Sequence, residues 1–182
     1  LIDLAQPRLG TKVIYKTDDF FASANRIISP TIPVFKEGVF DRHGKWMDGW
    51  ESRRKRASGH DYIILKLGKP GTISKIDIDT SHFNGNQPAM ISVEGAYSHS
   101  NKINKLKWTS ILPKKKTKAN SHHFFSVKNK KIFTHIKFNI FPDGGVARLR
   151  LNGSIAKSKI FRNKKMNLAS FLDGASIIAC YN

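Results

Sequence analysis

The stretch from Gly44 to Asp61, GKWMDGWESRRKRASGHD, crowds acids, a basic run, two tryptophans and a histidine together. Side chains of these types move protons and grip small anions. Asp48 and Glu51 offer carboxyl groups, and two carboxylates from separate loops can hold a water and protonate a leaving nitrogen when their surroundings push their pKa values apart. Arg53, Arg54, Lys55 and Arg56 form the densest cationic run, and a planar guanidinium grips a carboxylate through two parallel hydrogen bonds. A small carboxylate substrate suits them, although at least two of these cations are expected to be merely solvated. Gly49 and Gly59 mark places where the backbone turns, so the stretch reads as a site loop.

Acids are scarce, 13 against 32 Lys and Arg, so their placement carries information. Asp18, Asp19, Asp48, Glu51, Asp61, Asp77, Asp79 and Asp143 lie beside turn or aromatic motifs. Asp18 and Asp19 are suited to cap a helix, and Asp143, in a Pro-Asp-Gly-Gly turn, to bond its own backbone. Among the seven histidines, His60 and His82 stand out beside acids and Gly or Asn turns. His60-Asp61 can orient a catalytic imidazole, and His60, His82 and a carboxylate such as Asp79 can ligate a metal. No HExxH-like spacing is present, so a divalent metal is an option and not a requirement. His122-His123 falls in a basic region and is read as incidental. Arg148 and Arg150 share one strand face, for a common ligand or a salt-bridged surface. Trp46 and Trp50 either wall a pocket or fill a core. Without a Gly-rich phosphate loop, a Gly-x-Ser-x-Gly elbow or a kinase motif, Ser/His/Asp catalysis has no local support.

The elements that must position these groups are mostly strands. A helix is predicted over Asp18 to Ile28, where Phe20, Phe21, Ala24, Ile27 and Ile28 approximate one face, and Pro30 and Pro33 stop it. Downstream the period becomes two. Tyr62 to Leu67 is an apolar run, Ile76 and Ile78 alternate with Asp77 and Asp79, Ile136, Phe138 and Ile140 with Lys137 and Asn139, and Ala147, Leu149 and Leu151 with Arg148 and Arg150. Turns are predicted at Gly68 to Gly71, Gly85 to Pro88 and Pro142 to Gly145, the last joining two strands as a hairpin. Lys114 to Asn120 reads as a solvated loop. Many strands between Gly, Asn and Pro turns predict an all-β antiparallel sandwich with one short N-terminal helix.

A chain of 182 residues, 40% apolar with 12 Phe, is long enough for one domain with a core. The net charge of +19 raises nucleic acid and anionic membranes as partners. The lysines are instead spread through Asn-, Ser- and Ile-rich stretches, a compositional drift that argues against nucleic acid while still attracting small anions. The single cysteine, Cys180, excludes an intrachain disulfide and a cysteine-based zinc cluster. No apolar window of membrane-spanning length, signal-peptide pattern or lipidation motif is seen, which predicts a soluble cytoplasmic protein with no membrane partner.

The chain also resembles itself. Ile2 to Asp18 aligns without a gap against Met166 to Asn182, with Leu4, Ala5, Gly10 and Ile14 recurring as Leu168, Ala169, Gly174 and Ile178. The tail reads as the opening of a second copy of the same unit. Domain boundaries are therefore expected at 1–157 for one full repeat and 158–182 for a linker and the start of a truncated second one.

Segments along the chain resemble the allantoicase family: TDDFFASANRIISP at Thr17 to Pro30, PVF at Pro33 to Phe35, GKWMDGWESRRKR at Gly44 to Arg56, and GHDYIILKLG at Gly59 to Gly68. IDIDTSHFNGN at Ile76 to Asn86 and THIKFNIFPDGGVARLRLNG at Thr134 to Gly153 continue it. Ser52 and Tyr62 stand where the family has Thr and Trp. The resemblance implies tandem jelly-roll β-sandwich repeats similar to galactose-binding domains, and hydrolysis of allantoate to ureidoglycolate and urea in purine breakdown. By the resemblance the site lies in Asp48 to Arg56, His60-Asp61, Asp79 to Asn86 and Asp143 to Arg148. Side-chain chemistry within those segments makes Asp48, Glu51, His60 and Asp61 the candidates for proton transfer. Arg53, Arg54, Asn86, Asp143 and Arg148 are the candidates for holding an anionic ureide, with Arg53 or Arg148 on its carboxylate and Asn86 on a ureido carbonyl. A homo-oligomer is expected, because a pocket that needs both repeats would otherwise stay incomplete. The alternative is an inactive ligand-binding sandwich derived from or cut from such an enzyme.

Overall fold

The computed structural model describes residues 1–100 and 102–156; the expected repeat opening at Met166 to Asn182, and Cys180, lie outside them. In chain order the strands are β1 (Ile2–Asp3), β2 (Lys12–Lys16), β3 (Phe40–Asp41), β4 (Gly44–Lys45), β5 (Trp50–Glu51), β6 (Asp61–Asp79) and β7 (Met90–Ala96). They continue with β8 (Thr109–Lys116), β9 (His122–Ser126), β10 (Phe133–Phe141), β11 (Gly145–Val146) and β12 (Arg148–Ile155). All the pairings are antiparallel.

One strand organises the sandwich. The first part of β6 pairs with β10 and β2, and its second part, from Gly71 to Asp79, with β12 and β9. Sheet order therefore runs β1-β12-β6-β10-β7-β8, with β2 and β9 also on β6. Ile63, Leu65, Leu67, Ile73, Ile76 and Ile78 of this strand join Ile91, Val93, Phe138, Ile140, Leu149 and Leu151 in one buried cluster. Each such aliphatic side chain contributes roughly 1.5–3 kcal/mol on leaving water. This is the predicted jelly-roll β-sandwich.

Several local expectations are corrected. Gly68 to Gly71 is no turn but the middle of β6. A Cβ on Gly68 would stand 1.9 Å from the Leu9 carbonyl oxygen and one on Gly71 2.6 Å from that of Ser154, so these glycines admit crossing backbone. The helix over Asp18 to Ile28 shrinks to a 3₁₀ turn at Ala24–Ile28. The Asp18 carboxylate accepts the Phe20 amide and the Asp19 carboxylate the Ala24 amide, while Ala22 exchanges backbone bonds with Glu51. Side chains and a neighbouring loop thus take the donors a helix would use. Finally, Pro142 to Gly145 closes no hairpin: β10 lies between β6 and β7, and β12 lies on the other part of β6. The segment crosses between the two halves of the sandwich.

Lys114–Lys116, expected in a solvated loop, extends β8, whose lysines are exposed at the end of the sheet order. Cations on an edge strand discourage pairing with another chain.

Gly68→Ala should lower stability by about 1–3 kcal/mol, because backbone lies on the far side of the added methyl and the strands must part. Urea unfolding followed by tryptophan fluorescence reads it; an unchanged midpoint would mean that β6 does not pass against Leu9.

Candidate functional site

Arg148 opens β12 with 2% exposure, and all five of its N–H donors are used by protein acceptors. Nε donates to Thr31 O at 2.9 Å, and Nη1 to Asp48 O at 2.9 Å and Ala147 O at 2.8 Å. Nη2 donates to Ile32 O at 3.3 Å and Asp48 Oδ2 at 2.7 Å. The guanidinium therefore ties the Thr31–Ile32 strap to the Asp48 loop and keeps no donor for a ligand. Asp48 Oδ2 also accepts the Val34 amide at 2.9 Å. Burial pushes the Asp48 carboxyl upward, but the Arg148 bond, the Val34 amide and the charges of Arg148 and Arg26 outweigh it and hold the pKa below the ordinary value.

Beyond Asp48 the chain enters β5, which pairs with β11 through Gly145↔Glu51 and Val146↔Trp50. Trp50 is fully buried, packs edge-on against Phe138 at 6.1 Å and donates its indole N–H to Asp18 O at 2.8 Å. Successive side chains of a strand point oppositely, so Glu51 leaves the core where Trp50 enters it. Asn86 Nδ2 donates to Glu51 Oε1 at 2.8 Å, the one bond to this carboxyl among the described residues. Burial raises the Glu51 pKa and only that bond opposes the rise. Asn86 also lines a cavity of about 290 Å³ with Phe35, Lys45, Met47, His82 and Asn84. Glu51 thus stands one hydrogen bond behind the cavity wall. His82 holds φ at 69°, and its ring stacks on Phe35 at 5.7 Å. Such a backbone conformation is costly for a residue with a Cβ and concentrates where function requires it.

The other sequence candidates are distributed around this core of the site. Arg53 clips Asp18 through Nη2 at 2.6 Å, Nε at 2.7 Å and its backbone N–H at 3.1 Å, with its guanidinium carbon 5.1 Å from the Phe20 ring centre. Burial pushes the Asp18 carboxyl up, but the Phe20 amide and these Arg53 contacts bring it below its usual value. Asp61, 1% exposed, accepts Thr17 Oγ1–H at 2.8 Å and pairs with Lys55 Nζ at 2.9 Å. Asp143, expected to bond its own turn, instead accepts the Lys55 amide at 2.7 Å and so fastens the basic loop to the crossover. Arg54 is exposed and without a bonding partner among the described residues. His60 lies elsewhere, on a groove beside Asn139.

His82 and Asp79 both line a third cavity, of about 260 Å³, with Asp77, His122, Arg148 and Arg150. His60 does not join them. Among the described residues no three His, Cys, Asp or Glu side chains are placed to share a metal ion. His122, read as incidental, bonds Asp77 through Nδ1 at 3.1 Å. Of the other cavity walls, Asn84 falls within the expected Asp79 to Asn86 segment and Lys45 within the Gly44 to Asp61 stretch, though neither is singled out by the sequence, and Phe35 has no local signal that turns it inward.

Sandwich layers sharing one long strand, with a polar cavity built from the connecting loops, define a galactose-binding-like jelly roll. The family 32 CBM from C. perfringens NanJ in complex with galactose has this fold, with a TM-score of 0.57 at 13% identity over 82% of this chain and 98% of that one. A solved allantoicase structure aligns with a TM-score of 0.79 at 33% identity, covering 95% of this chain and 52% of that chain. Residues 2–156 match the Allantoicase repeat, and the chain belongs to the allantoicase family. A probable allantoicase of Pseudomonas fluorescens (strain Pf0-1) is 49% identical over 98% of this chain. The chain spans about half the length of the curated relatives it matches, 55% of the one from P. fluorescens.

Because the folded-state pKa of Asp48 lies below its unfolded value, the stability it gives is present above about pH 4 and fades as pH falls through the lower folded value. Asp48→Asn should therefore cost on the order of 3 kcal/mol at pH 7, with the gap to the parent closing in strong acid. Urea midpoints measured across that range check it; a gap independent of pH would remove the charge from the account.

Proposed function

We propose that this chain is the first repeat of an allantoicase, taking part in the hydrolysis of allantoate to ureidoglycolate and urea in allantoin catabolism. The observation that carries the reading is Glu51: a carboxyl whose pKa is raised by burial and which, among the described residues, is bonded only to the Asn86 amide beside a small cavity. Its family membership gives the substrate class.

In this reading Glu51 supplies the proton. It passes to the nitrogen of the departing urea as the carbon–nitrogen bond breaks, and the bonding electrons leave with that nitrogen. A water oxygen then bonds to the same carbon, and the proton it sheds restores Glu51. Asn86 fixes the acid through one N–H and offers its remaining amide groups to a ureido group. Lys45, whose ammonium lies 4.7 Å from the Phe35 ring centre and lines the cavity, attracts the substrate carboxylate. This takes over the task first given to Arg148, whose donors are all engaged. Half-buried Asp48 and buried Asp61 are read as anchors of the loops, Arg53 and Asp143 as clips on them, and Arg54 as an exposed cation for anion capture.

The reading includes a cytoplasmic enzyme that closes its site by self-association or with a second repeat. Ile32 of the strap and Phe40 of β3 are 81% and 69% exposed, which supports such covering. Among the described residues no helix is long and apolar enough to cross a membrane. The competing reading is a sandwich that binds a ureide without cleaving it.

Urea release from allantoate by the 182-residue chain, beside a two-repeat form, separates these readings. Turnover in either supports the enzyme, and saturable allantoate binding without urea in both supports the binding module. Glu51→Gln should lower turnover about a hundredfold with the fold intact. The parent rate should fall as pH rises through the raised Glu51 pKa, since the donor must be protonated, and the variant should lack that limb. Unchanged turnover in Glu51→Gln would take the acid role from it.

A further inference from the structure

The groove that holds His60 shares no lining residue with the cavity at Asn86. It occupies about 380 Å³ along β7, β8 and β10, with His60, Glu94, Ser110, Lys114, Asn139 and Phe141 among its walls. Alternation explains the face. Ile91 and Val93 of β7 and Phe138 and Ile140 of β10 enter the core, so Ser92, Glu94, Asn139 and Phe141 turn outward.

Asn139 is only 2% exposed although it is on that outer face, because polar partners enclose it. Its Nδ2 donates to Ser92 Oγ at 3.0 Å and Glu94 Oε2 at 3.1 Å. A carboxylate accepts and does not donate, which fixes the amide orientation and leaves Oδ1 facing His60 Nε2 at 3.0 Å. His60 must then carry its hydrogen on Nε2, and the neutral ring presents Nδ1 as an acceptor. The imidazole is packed against Phe141 at 4.4 Å between ring centres, and Lys137 Nζ lies 3.5 Å from Glu94. The sequence Lys137, Glu94, Asn139, His60 is one connected array that sets a tautomer.

A cation completes it. Lys114 Nζ lies 4.1 Å from the centre of the Phe141 ring and has no carboxylate partner among the described residues. The groove therefore offers one positive charge and two acceptors, His60 Nδ1 and the Glu94 carboxylate, around a volume suited to a small molecule. We propose that this groove is a second binding site of the repeat, for a small carboxylate that bears N–H donors, as a ureido acid or an amino acid does. The carboxylate meets Lys114 and the N–H groups meet His60 and Glu94. The assignment stands apart from the role given to Glu51.

Titrating N-carbamoylglycine, glycine and acetate separately into the 182-residue chain tests it, with the histidine ring resonances followed by NMR and those of His60 identified by their loss in His60→Phe. The expected result is a saturable shift of the His60 signals with one of the first two probes. The one acting at lower concentration identifies a ureide or an amino acid. Acetate, lacking N–H groups, should bind about tenfold more weakly, the worth of one hydrogen bond. Lys114→Met should abolish the shift and Lys114→Arg should keep it. The proposal is overturned if neither probe moves His60 at millimolar concentration, if acetate matches them, or if Lys114→Met binds as the parent does. A shift abolished by Glu51→Gln would also overturn it, by placing the probe at Asn86, whereas a silent groove beside Glu51-dependent urea release would leave the proposed function intact.

Discussion

The strap and the loop before β5 both hang from one buried guanidinium. Arg148 could not be taken out of water without partners, because an unpaired buried cation costs several kcal/mol, and five protein acceptors are what makes its position tolerable. Those acceptors come from the strap, from the loop before β5 and from the strand's own entrance. Satisfying a single side chain therefore brings three stretches of chain together. Asp48 adds the opposing charge, and the Val34 amide on the same carboxylate oxygen extends the hold toward Phe35 and the cavity.

The second constraint is the alternation of side chains in very short strands. With Trp50 anchored in the core by its ring and by its indole N–H, Glu51 has no freedom to choose its side. Two residues of pairing with Gly145–Val146 suffice to aim a carboxyl at Asn86. The same rule separates His60 from Asp61 at the start of β6. Asp61 turns in to Lys55 and Thr17, and His60 turns out to Asn139. Adjacent residues in a sequence motif thereby serve different surfaces.

Much of this was legible in the residues and some was not, for identifiable reasons. Alternating Ile and Phe positions marked the core faces of β6, β10 and β12, since burial on one face imposes a period of two. The Gly44 to Asp61 stretch stands out in the sequence because its chemistry is dense, and in the fold it gives Lys45 and Met47 to the cavity wall and places Glu51 on Asn86. Gly68 to Gly71 was misread because glycine signals a turn locally, whereas here its missing Cβ answers to Leu9 and Ser154, distant in sequence. The Asp18 to Ile28 periodicity was helical in pattern, yet Asp18 and Asp19 bond nearby amides. Nothing local could reveal that Arg148 is saturated by Thr31, Ile32 and Asp48, or that Lys45 and Phe35 face one cavity. Those relations are made by folding.

The charge imbalance gives the last argument about Glu51. With 32 Lys and Arg to 13 Asp and Glu, any carboxylate in this chain has cations in abundance to draw on. Asp18 has Arg53, Asp19 has Lys16, Asp48 has Arg148, Asp61 has Lys55, and Glu94 has Lys137. Glu51, partly buried, has an amide and no cation among the described residues. In so basic a protein that lack cannot come from scarcity; it follows from the walls built around the group. Desolvation without a counter-charge favours the neutral carboxylic acid. Asp18, Asp48 and Asp61 each keep a cation within 3 Å, whereas Glu51 keeps the Asn86 amide, and that difference in surroundings is what leaves its carboxyl the more readily protonated.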